Sequence, residues 1–172
     1  MFAKTDIERY FNAEKSESLF FILVSLLGIA TGLIFFFFMK TPFYQGAAIP
    51  SAGLGLLLGV VGFTVYKRSD MDRIRNVYAY DMNRSELKEI EIPRMKTVMK
   101  NFVFYRYTEI ILVFTGMSLY FNCCGNTGRT FWNGFGLTLA IMSLIALIAD
   151  YFAERRGKIY IRGLSSFINK MY

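Results

Sequence analysis

Three ionisable residues interrupt otherwise apolar stretches of this sequence, and they are where chemistry could be done. Arg106 and Glu109 stand three positions apart, so on a helix they share one face. Asp150 lies near the end of a later apolar run. If the two runs are antiparallel helices, Asp150 comes to the depth of Arg106, and an Arg106–Asp150 bridge is expected with Glu109 one turn deeper. Ionisable groups at such a depth point to an ion or proton site. The competing reading is a structural pair that snorkels to the interface, with Tyr105, Tyr107 and Tyr151 as headgroup anchors.

Other chemistry is scarce. The chain has no histidine, which excludes imidazole general bases and histidine-ligated metals or haem. Its two cysteines, Cys123 and Cys124, are adjacent and lack the C-x-x-C spacing of thiol exchange. A vicinal disulfide between them would be strained, and free or structural thiols are the simpler reading. No catalytic constellation, metal set or cofactor motif emerges, so a non-enzymatic protein is expected.

The elements that must position these residues are four apolar blocks of about twenty residues, the length of a membrane-crossing helix. They cover roughly 19–39, 43–66, 102–121 and 131–152. The expected fold is all-α: an integral membrane four-helix bundle of two transmembrane hairpins, with short amphipathic helices at the interface. An arm over 1–18 precedes the first hairpin (19–66), a charged connector spans 67–101, and a tail over 154–172 follows the second hairpin (102–153).

Small residues mark the packing faces. Gly28 and Gly32 form a G-x-x-x-G pair, and Ala52, Gly55, Gly59 and Gly62 make a smooth stripe on the second span. Thr5 to Glu8 reads as a capping box for a short helix over 6–15. Ser69 reads as the cap of a helix in the connector, with Met71, Ile74, Val77 and Tyr78 as its stripe. Pro93 suits the first turn of the helix leading into the third span. In the tail, Ile159, Ile161, Leu164, Phe167, Ile168 and Met171 are expected to lie at the interface.

The connector carries nine basic and six acidic residues, and with the arm and tail it holds most of the Lys and Arg of the chain. The two short turns have only Lys40 and Arg129. The positive-inside rule then places both termini and the connector in the cytoplasm. The net charge of +7 belongs to anionic headgroups rather than nucleic acid, since acids are mixed through the connector.

At one fixed offset the two halves align. Phe43-Tyr44-Gln45-Gly46 meets Phe131-Trp132-Asn133-Gly134, Gly28 meets Gly116, Ala52 meets Ala140, and Lys67-Arg68 meets Arg155-Arg156. Duplication would give two like hairpins about an axis along the membrane normal. Shared aromatic belts and basic ends would give part of the same pattern without it.

The stretches Pro93 to Phe102, Tyr105 to Glu109, Phe131 to Leu137 and Phe152 to Gly157 resemble a group of small uncharacterised four-span bacterial inner-membrane proteins. In size and topology alone, the chain is also similar to polytopic immunity proteins that guard a cell against membrane-active toxins. These likenesses imply a bacterial inner-membrane protein that binds a protein partner, as an immunity protein or complex subunit; separately from them, a homo-oligomer in the bilayer is an open expectation. The alternative is a small transporter or channel using Arg106, Glu109 and Asp150.

Overall fold

The computed structural model describes residues 2–170 of the chain. Met171, expected at the interface, lies outside them. Four long helices account for nearly all of it, and there is no strand among the described residues. Helix α1 covers Lys4–Ile34 and runs on as a π-helical turn over Phe35–Met39. Helix α2 covers Pro42–Met82, and the single turn α3 covers Arg84–Glu86. A π-helical turn over Leu87–Glu91 leads into α4, Ile92–Cys123, and a 3-10 turn, Thr127–Arg129, leads into α5, Thr130–Asn169. All four long helices are long and apolar enough to cross a membrane, as in a multi-pass membrane protein.

A forty-residue helix is about 60 Å long, roughly twice the hydrocarbon thickness of a bilayer. The arm, connector and tail are therefore largely continuations of the spans. Residues 6–15 are helical but run unbroken into the first span. The cap of α1 is Ala3, whose N–H donates to Asp6 at 2.8 Å, so Thr5 and Glu8 do not form the expected box. Ser69 is not a cap either. It lies mid-helix in α2, and its hydroxyl donates to the Phe11 carbonyl at 2.9 Å, tying α2 to α1. The break falls at Asn83, and Pro93 occupies the first turn of α4.

Within the spans the large apolar side chains, among them Leu23, Leu26, Leu57, Phe63, Ile111 and Phe114, point outward as lipid contact requires. Small residues fill the inside. A Cβ on Gly32 would stand 3.0 Å from the Ala48 carbonyl and from Ala52, and one on Gly28 3.1 Å from the Ser51 carbonyl. Gly55 abuts Ile29 and Ser25, Gly59 abuts Ser25, and Gly62 abuts Ser18 and Phe21. The glycines of α1 and α2 thus bring these two backbones together.

Beyond the spans, at the end that holds both termini, the helices enclose a more conventional core. Ile7, Phe11, Leu87, Met95, Leu164 and Ile168 are buried there, and the Tyr10 and Tyr160 rings stack at 4.2 Å. Buried charges sit beside it. Glu91, 1% exposed, accepts two hydrogen bonds from Arg94 at 2.7 and 2.8 Å and one from the Tyr160 hydroxyl at 3.2 Å. Asp72 is held by Arg68 at 3.1 Å, Arg75 at 3.3 Å and Arg94 at 3.6 Å. The connector is therefore not simply a solvated face. Its Asp72, Glu91 and Arg94 lock α2, α4 and α5 together.

The two halves repeat in structure. Pro42 opens α2 and Thr130 opens α5, 88 residues apart. At the end of the bundle that carries the short turns, Gly46 lies against the Phe131 carbonyl and Gly134 against that of Phe43. At this offset Gly46 corresponds to Gly134 and Phe43 to Phe131, so one contact is made twice, reciprocally, as across a two-fold axis.

Candidate functional site

The third span brings its charges to α5, but not in the expected pairs. Arg106 donates to Glu154 at 2.9 Å, one turn beyond Asp150, and Lys158 reaches the other oxygen of Glu154 at 2.6 Å. The Arg106–Asp150 bridge is thus not formed. Asp150 and Glu154 are four apart on one face of α5, and a guanidinium near the interface takes the partner closer to water. Glu109 and Asp150 are left to each other, within hydrogen-bonding reach. Glu109 Oε2 is buried and makes no hydrogen bond.

This carboxyl pair lines a cavity of about 470 Å³ to which α1, α2, α4 and α5 all contribute. That volume falls within the usual range of small-molecule sites. Most of its wall is apolar, including Leu54, Leu58, Leu112, Met142 and Ala146. Ser143 also lines it, 2% exposed, and its hydroxyl makes no hydrogen bond. Toward the termini the cavity reaches Glu14, Glu17, Arg68 and Arg156. Arg156 donates to Glu17, and Arg68 is engaged by Asp72 and Glu14. The cavity is half-open. Its exposed lining residues, Leu57, Val61, Asn101, Tyr105 and Thr108, belong to α2 and α4, which places the mouth between those helices.

Comparison with protein-family models, curated proteins and solved structures finds no match to this chain. The site is therefore read from its own geometry.

The offset of 88 residues shows what is particular to it. Glu109 corresponds to Phe21, Asp150 to Gly62 and Ser143 to Gly55. In the first hairpin these counterparts close up: a Cβ on Gly62 would stand 3.0 Å from that of Phe21, and Gly55 lies against the backbone of Ile29. In the second hairpin the same positions carry three polar side chains around a void. The opening has a matching asymmetry. Helix α1 is tied to α5 by the Glu17–Arg156 ion pair, whereas the equivalent positions on α4 and α2 are Tyr105 and Arg68, which are not paired.

The remaining candidates lie elsewhere. Cys123 is buried at the end of α4, Cys124 is exposed, and both are free thiols with no bond between them. Gly28, Gly32, Ala52, Gly55, Gly59 and Gly62 pack α1 on α2 and hold no ligand-binding groups. Among the described residues no group of acids or cysteines is arranged to hold a metal ion. Sequence reading passed over Ser143, which had no signal inside an apolar run, and Glu154, whose role depends on which carboxylate Arg106 selects.

Proposed function

We propose that this chain is a small non-enzymatic carrier of the bacterial inner membrane, with both termini cytoplasmic, that takes up a solute in the four-helix cavity and uses Glu109 and Asp150 as its coupling groups. One observation supports this reading above others. Two carboxyl groups, neither paired with a cationic side chain, line a ligand-sized void at positions where the other hairpin sets a phenylalanine against a glycine. Buried charge left without a protein partner is costly, and in membrane spans it marks ion and substrate paths. Arg106 plays a different part, neutralising Glu154 at the interface.

Flux in liposomes tests the reading. With an entrapped pH dye, proton movement driven by a panel of charged and neutral amphiphiles should appear with the native protein. It should vanish in Glu109→Gln and Asp150→Asn, and undiminished flux in both would reject the carrier. A reporter active only outside the cytoplasm, fused after Tyr172, should be silent.

A second reading, binding of a protein partner as an immunity protein or complex subunit, is favoured by a separate feature. Met71, Ile74, Tyr78 and Met82 form an exposed apolar stripe on α2 beyond the second span. If a partner docks there, Met71→Glu with Tyr78→Lys should abolish its recovery from mild detergent and leave flux unchanged.

A further inference from the structure

We infer that the cavity takes an amphiphilic ammonium compound, a protonated amine carrying a single apolar chain, which enters from the bilayer between α2 and α4. The inference rests on the reading of the cavity as a solute site and adds the class of solute.

The polar demand of the site is one-sided. Glu109 and Asp150 stand within hydrogen-bonding reach of each other, a contact that needs a proton on one of them, and Glu109 Oε2 makes no hydrogen bond of its own. Every nearby cation is committed elsewhere: Arg106 to Glu154, Arg156 to Glu17, and Arg68 to Asp72 and Glu14. The missing partner is thus a cationic hydrogen-bond donor. An anion would meet two carboxyl groups, and a neutral lipid would bring no charge. A hard metal ion would demand six or more oxygen ligands, more than converge here.

The walls select the rest of the molecule. Leu54, Leu57, Val61 and Leu112 offer an apolar track from the carboxyl groups to the mouth. An ammonium bearing N–H groups can serve the carboxyl pair and release the proton they share, while its chain lies along the track in contact with lipid. Charge-assisted hydrogen bonds of this kind are the strong ones in a low-dielectric setting.

The test is titration of the full chain in lipid nanodiscs with dodecylammonium, against empty nanodiscs and against dodecanol. The native protein should show one saturable site for dodecylammonium, and dodecanol should only partition. Glu109→Gln with Asp150→Asn should weaken binding by about tenfold or more. Unchanged elution and thermal midpoint would show that the amide variant is folded. Leu57→Trp, placed at the mouth and away from the carboxyl groups, should abolish binding.

Saturable binding of dodecanol equal to that of dodecylammonium, insensitive to the amides yet lost in Leu57→Trp, would overturn the cationic class and leave the solute site standing. No saturable binding of either compound would overturn both.

Discussion

Where Phe21 of α1 meets Gly62 of α2, the second hairpin sets Glu109 of α4 against Asp150 of α5. The second helix of each hairpin begins at a matching position, Pro42 and Thr130, and the same reciprocal glycine contact joins the hairpins near the short turns. The difference therefore lies in side chains rather than topology. The first hairpin shows that this fold closes well without polar groups at those positions. Carboxyl groups in the second are then not a requirement of packing. Two helices that need only to associate do so through small residues, as α1 and α2 do.

The largest effect should come from the core at the termini end, which holds both hairpins at once. Glu91 is buried among Arg94, Arg75 and Tyr160. Glu91→Ala leaves Arg94 largely buried without its main partner, a change worth about 3–5 kcal/mol. Thermal or denaturant unfolding in detergent should show it. A loss below about 1 kcal/mol would mean that the hairpins are joined by their spans alone.

A smaller but more discriminating effect is expected at the turn end. Gly46→Val and Gly134→Val each press a side chain onto the backbone of the opposite hairpin, at Phe131 and Phe43. Overpacking of this kind costs about 1–3 kcal/mol. Because the contacts are reciprocal, the two variants should be destabilised alike. Gly53→Ala, where nothing lies within 4 Å, serves as the control. Unequal losses would show that the repeat is one of sequence pattern and not of packing.

The four spans, the hairpins and the glycine faces were legible because bilayer length and close helix approach constrain residue types directly. The connector was harder. A mixed run such as Lys67 to Lys100 looks alike whether solvated or buried, and only the continuation of α2, α4 and α5 past the bilayer turns Asp72 and Glu91 inward. Arg106 illustrates a limit of spacing arguments. Asp150 and Glu154 share a face, and the choice between them follows from depth, which a sequence gives only to within a turn. Glu109 and Asp150 stood out as charges in apolar runs. The void beside them did not, because it depends on the absence of a clamp between α2 and α4.

The smallest change in stability should come from the exchange that tests the comparison most directly, Glu109→Phe with Asp150→Gly, which writes the first hairpin's contact into the second. Replacing buried polar pairs by apolar groups is often neutral or stabilising, so the unfolding midpoint should shift by no more than about 1 kcal/mol in either direction. Flux and ammonium binding should both disappear. If the exchange instead unfolds the protein while Glu91→Ala is tolerated, the carboxyl pair is a structural brace of the second hairpin, and its divergence from Phe21 and Gly62 reflects packing rather than a site.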